Sequence, residues 1–176
     1  MRFVIKVTKK QFSETEYCIS KQENIMTHLV ETQWMGKMQF NALVNGHTII
    51  MDGPEKVGGE DNGPIPKPLV LTALTGCTGM DVVSLLRKAG KEIRNFDLTA
   101  TGEISKQVPI EYTAIHLVYS FEGQEQLQED ALKAVMDSQQ KYCGVSNMLR
   151  KIMPVTWTVI YNGDIIFSNK KELAVA

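Results

Sequence analysis

Gly58-Gly59-Glu60-Asp61-Asn62-Gly63-Pro64-Ile65-Pro66-Lys67-Pro68-Leu69-Val70-Leu71-Thr72-Ala73-Leu74-Thr75-Gly76-Cys77-Thr78-Gly79-Met80-Asp81-Val82-Val83-Ser84-Leu85-Leu86-Arg87-Lys88 is the stretch on which the fold turns. Its first part is rich in glycine and proline and reads as a loop. Lys67-Pro68 opens a helix, because proline in the first turn has no N–H to leave unpaired. The helix that follows is apolar on nearly every side, with Cys77 in its middle, and such a helix is expected to be buried. Thr72, Gly76, Gly79 and Asp81 interrupt it, so a membrane span is not expected. Arg87 and Lys88 suit the negative end of the helix dipole, and Gly90 is the expected stop.

Upstream, Phe3, Ile5 and Val7 alternate with less apolar neighbours as a short strand. Residues 9–24 are polar and could be helix or loop. Residues 28–44 carry strand patterning (Leu29, Thr32, Trp34, Met38, Phe40, Leu43), with a turn at Gly36-Lys37. Asn45-Gly46 is a hairpin signal, and residues 47–51 are the returning strand. Downstream, two strands centre on Phe96–Ala100 and Ile115–Tyr119, separated by a loop at 106–111. Residues 127–142 place Ala131, Val135, Ser138 and Tyr142 at helical spacing, which delivers Cys143 to the helix end, with Gly144 as its stop. A short helix over 146–152, capped by Ser146 or Asn147, precedes a hairpin of Val155–Tyr161 and Ile165–Phe167 turning at Asn162-Gly163. Runs of strands separated by helices, without βαβ alternation, define an α+β fold with an antiparallel sheet.

The 176 residues suffice for one domain that buries roughly 70% of its unfolded surface without a staple. A net charge of −1 gives no electrostatic support to a nucleic-acid or anionic-membrane partner. The first residues hold charges within a short apolar run and no small-residue cleavage site, so no signal peptide is expected, and the chain reads as cytoplasmic. There thiols stay reduced, and three cysteines (Cys18, Cys77, Cys143) do not suggest a disulfide framework.

Cys77 and Cys143 each lie on or at the end of a helix. Facing each other, they would form a peroxidatic and resolving pair: one thiolate attacks an O–O bond and the second thiol condenses with the sulfenic acid. That requires a cation or helix N-terminus to activate the first thiol. The other reading is that Cys77 is a small core residue. Asp81, one turn after Cys77, raises a neighbouring thiol's pKa unless a lysine or arginine pairs with it. No pair among the cysteines and His28, His47 and His116 has zinc spacing, and a histidine on a strand such as His116 reads as structural. The 58–63 glycines lack phosphate-loop spacing and read as shaping the loop. No metal or cofactor is called for. Cys18 has no visible partner.

Two motifs resemble the OsmC/Ohr family of peroxiredoxin-like hydroperoxide reductases, and its YhfA-like branch most. One is the stretch from Gly58 to Leu86, with Gly76-Cys77 and Asp81-Val82-Val83-Ser84; the other is Ser138-x-x-Lys141-Tyr142-Cys143-x-Val145-Ser146-x-Met148-Leu149. The Ile49–Gly53 strand end fits too. The resemblance spans about residues 34–162 and leaves residues 1–30 as an N-terminal extension to an OsmC-like domain over 31–176. It implies an intertwined homodimer, with antiparallel sheets wrapped around two long helices per subunit. It implies a thiol peroxidase for organic hydroperoxides, regenerated by a thiol or dithiol reductant, with Cys77 as peroxidatic and Cys143 as resolving cysteine. The catalytic members carry a glutamate at the position of Lys67, ten residues before Cys77, which holds an arginine against the thiolate. Arg2 is the one arginine before Cys77, so that pair is absent, and either Lys67 supplies the cation or Asp81 leaves Cys77 unreactive. The alternative is a non-catalytic member of the fold that binds a hydrophobic small molecule in the inter-helix cleft.

Overall fold

The structure, a computed structural model, describes residues 27–170. The expected strand near the N-terminus, the polar segment 9–24 and Cys18 lie outside the described residues. Strands β1 (Val30–Gly36), β2 (Gln39–Val44) and β3 (His47–Met51) form an antiparallel sheet. Its turns are the expected ones: Gly36 and Lys37 have φ of 110° and 45°, Asn45 and Gly46 of 49° and 80°. Glycine and asparagine accept this left-handed backbone at least cost.

The loop after β3 is built on Asp52. Its buried carboxylate accepts backbone N–H bonds from Gly53 (2.7 Å), Glu60 (3.0 Å) and Asn62 (3.2 Å). Burial pushes this carboxyl up, yet the N–H donors and the charge of Lys37 leave it below its ordinary value. Gly59 lies so close to the returning chain that a Cβ there would sit 1.7 Å from the Gly53 carbonyl oxygen. The glycines therefore shape the loop, as the sequence indicates.

Helix α1 (Leu69–Lys88) then crosses the second sheet. Leu74, Thr78, Val82 and Leu86, spaced by four, are buried against that sheet and the following helices. By length and composition α1 could cross a membrane, with a mean hydropathy of 1.7 over its apolar window, but this stripe packs as the core helix of the domain. The expectation of burial all round is corrected for the described residues: they cover one face, and Met80 on the other is 75% exposed.

Strands β4 (Asn95–Ile104), β5 (Tyr112–Glu122), β6 (Val155–Tyr161) and β7 (Asp164–Ser168) form the second sheet in that order. The sheet is not wholly antiparallel, because β5 and β6 pair in parallel from Ile115↔Val155 to Phe121↔Tyr161. A helical crossover joins them, as parallel neighbours require. Ile115, Leu117, Tyr119 and Phe121 alternate toward the helices and carry the core.

The second long helix is shorter than expected. Helix α2 (Gln128–Asp137) spans ten residues, then passes into a π-helical turn over Ser138–Tyr142. The Cys143 N–H bonds to the Ser138 carbonyl at 2.8 Å, an i→i+5 bond. The wider turn shifts the helical phase, so Ser138 and Gln139 face inward while Tyr142, expected on the same stripe, is exposed. Helix α3 (Gly144–Leu149) starts at Gly144, and its cap is Cys143, not Ser146 or Asn147.

Candidate active site

Three of the four residues singled out from the sequence meet. The sulfurs of Cys77 and Cys143 and a carboxylate oxygen of Asp81 all lie within 4.8 Å of one another, and both cysteines are free thiols. Cys77 and Asp81 share one side of α1 because they are four residues apart. Cys143 reaches them from the bend between the π turn and α3, where its backbone turns out of the helix (φ −69°, ψ 101°). Lys67 is elsewhere. It lies about 15 Å back along the α1 axis from Cys77, and its ammonium donates to the Ile110 carbonyl between β4 and β5.

The two thiols sit in different surroundings. Cys77 is half-buried, and Cys143 is 2% exposed. Burial pushes the Cys143 thiol up to about 12. The Ser146 N–H, donating to its sulfur at 3.4 Å, works against this, while the Cys77 thiol and the Asp81 carboxylate add to the rise. Cys143 is thus a protonated thiol at neutral pH. Among the described residues, Asp81 has no ion-pair partner. The expectation that a lysine or arginine pairs with it is not met within the described chain.

A buried polar network supports the site, and no sequence motif assigns it a role. Ser138 donates to the Asp81 carboxylate at 3.0 Å. Its hydroxyl has one proton, so in its 2.8 Å contact with Thr78 it accepts. Thr78 in turn takes the Tyr119 hydroxyl proton at 2.8 Å and a Gln139 amide proton at 3.2 Å. Gln139 also donates to the Tyr119 oxygen, and its own carbonyl accepts from Ser146 at 2.6 Å. The donors therefore run one way, Tyr119 to Thr78 to Ser138, and end on the Asp81 carboxylate. Burial raises the Tyr119 hydroxyl to about 12, opposed by its bonds to Thr78 and Gln139, so it stays a donor. The available signal was polar residues at buried helical positions: Thr78 on an apolar helix, and Ser138, Gln139 and Ser146 around Cys143.

The remaining candidates are structural. His116 bonds through one ring nitrogen to Thr156 (2.8 Å) and through the other to Thr158 (3.2 Å), and burial, then Lys170, lowers its pKa. An open apolar groove of about 590 Å³, lined by Met80, Val83 and Phe96, runs along the uncovered side of α1 and does not include either cysteine.

Two free cysteines and a carboxylate converging over a mixed sheet define a class, a two-cysteine thiol protein of α+β fold. The OsmC-like protein family matches residues 59–158, and the chain belongs to it. Protein YhfA of Escherichia coli K12 is 32% identical over 125 residues, covering 70% of this chain and 90% of its own length. A hypothetical protein from Aquifex aeolicus superposes with a TM-score of 0.64 at 24% identity, over 78% of this chain and 98% of its own. An organic hydroperoxide resistance protein from Legionella pneumophila shares the fold with a TM-score of 0.59 at 14% identity, over 78% and 99%.

Proposed function

We propose that this chain is a cytoplasmic thiol peroxidase for organic hydroperoxides, with Cys77 as nucleophile and Cys143 as resolving thiol. The observation that carries this reading is the convergence of both sulfurs with Asp81 within 4.8 Å. The half-buried Cys77 is the sulfur that a substrate reaches first. Its thiolate attacks the outer peroxide oxygen, the O–O bond breaks, and the alkoxide leaves as an alcohol after taking up a proton. The Cys143 thiol then displaces water from the Cys77 sulfenic acid to give a disulfide, and two external thiols or a dithiol reduce it. Asp81 is the carboxylate beside both sulfurs. It accepts the Cys77 proton and returns one to the leaving oxygen, while Ser138 fixes its orientation. In this scheme proton transfer to Asp81, rather than a neighbouring cation, frees the Cys77 thiolate, and Lys67 has no part.

The functional unit is a homodimer. Among the described residues the β1–β3 sheet packs on no other element to a substantial extent, and Trp34 is 62% exposed with Met35, Phe40, Ile49 and Ile50 also open. A second copy covering this sheet and the bare side of α1 removes a patch too large for a soluble monomer. No nucleic acid is expected as a partner. The test is thiol-dependent consumption of cumene hydroperoxide. Wild type turns over, Cys77→Ser is inactive, and Asp81→Asn loses roughly a hundredfold, the scale of a general acid–base group. Equal consumption by wild type and Cys77→Ser refutes the reading.

A further inference from the structure

Cys77, Asp81 and Cys143 present two sulfurs and one carboxylate oxygen, all within 4.8 Å, with no ion-pair partner for the carboxylate among the described residues. We propose that in the reduced protein these three groups bind a thiophilic divalent cation of the zinc class, and that its occupancy and the Cys77–Cys143 disulfide exclude each other.

The geometry supports this donor by donor. A tetrahedral zinc ion with sulfur ligands at about 2.3 Å and an oxygen ligand at about 2.0 Å holds two sulfurs about 3.8 Å apart and a sulfur and the oxygen about 3.5 Å apart, so the loosest pair here closes by about 1.3 Å at most. Cys77 and Asp81 are fixed on the same helix four residues apart, the spacing at which two side chains of one face can share an ion. Asp81 and Cys143 are each already oriented by an outer hydrogen bond. Ser138 holds one oxygen of Asp81 at 3.0 Å, and the Ser146 N–H holds the Cys143 sulfur at 3.4 Å. Outer bonds of this kind aim metal ligands. Three protein donors leave a fourth position open to water on the half-exposed Cys77 side, as in catalytic rather than structural zinc sites. Two sulfurs select zinc or cadmium over magnesium or calcium.

Binding breaks both S–H bonds and forms two metal–sulfur bonds and one metal–oxygen bond. The thiol protons pass to solvent, and no electron is transferred. Sequence spacing hides the site, because the third donor arrives from a distant bend in the chain.

The experiment uses reduced, untagged protein, titrated with Zn²⁺ against a chromophoric chelator and with Cd²⁺ by ultraviolet thiolate charge transfer. One ion per chain, a cadmium–thiolate band and acidification of a weak buffer are expected. All are lost in Cys77→Ser, and Ser138→Ala weakens binding about tenfold or more. Cys143 is buried, so Cys77→Ser carries the test, with circular dichroism confirming its fold. Absence of the band, or a band that survives Cys77→Ser, overturns the proposal. The peroxidase reading stands or falls separately: a protein inert to hydroperoxide that binds cadmium through both sulfurs retains this site.

Discussion

Cys77 and Cys143 lie side by side but do not share an environment. Cys143 is buried and keeps its proton to about 12, while Cys77 is half-exposed. Thiolate, not thiol, is the nucleophile, so a limiting pulse of iodoacetamide near neutral pH is expected to label Cys77 first. Peptide mass spectrometry reads the order, and Cys143 labelled ahead of Cys77 contradicts it. The same burial sets an alkaline limit on stability. The native chain holds the protons of Cys143 and Tyr119 to about 12, whereas the unfolded chain releases them from ordinary values of 9.0 and 10.0. In that interval the native state binds more protons, so stability is intact below about pH 9 and falls as pH rises toward 12. Urea midpoints at pH 8 and pH 10.5 are expected to differ in that direction, and Tyr119→Phe is expected to flatten the change. Equal midpoints contradict it.

The π turn is what brings Cys143 to α1. Gln139 spans it, bonding Ser146 on one side and Thr78 and Tyr119 on the other. Gln139→Leu keeps the volume but leaves the buried Ser146 hydroxyl without its acceptor and removes one donor each from Thr78 and Tyr119, and is expected to cost about 2 kcal/mol and to slow disulfide closure. Denaturant titration and the rate of Cys77–Cys143 bonding check both. At the other end of α1, Gly59→Ala forces a Cβ onto the Gly53 carbonyl and is expected to cost about 2 kcal/mol in thermal or urea unfolding. The elements were largely legible in sequence: Asn45-Gly46, the Pro68 helix start and the alternation through β4, β5 and β6 are local signals. The π turn was not. Ser138 and Tyr142 sit at regular helical spacing, and what widens the turn is the burial of Gln139 against Thr78 and Tyr119, which no local pattern records. The parallel β5–β6 pairing escaped for the same reason. It depends on which side of the sheet the crossover packs.

For the molecule as a whole, the cysteine pair was legible because two motifs carry it, while the Tyr119–Thr78–Ser138–Asp81 chain joins three elements and emerges only from the tertiary fold. Among the described residues nothing covers the β1–β3 sheet or the far side of α1, and this motivates the proposed homodimer. Light scattering on a sizing column is expected to give twice the 19.7 kDa chain mass, and a monomer at micromolar concentration contradicts this. Because both sulfurs belong to one chain, the proposed disulfide lies within a chain and links no two copies. One measurement bears most directly on the redox reading: stoichiometric cumene hydroperoxide added to reduced protein, followed by non-reducing electrophoresis and peptide mass spectrometry. A Cys77–Cys143 disulfide within a chain of monomer mobility is expected, forming faster than a free thiol is oxidised. Cys77 still reduced, or oxidised to sulfinic acid with Cys143 left free, contradicts the resolving pair.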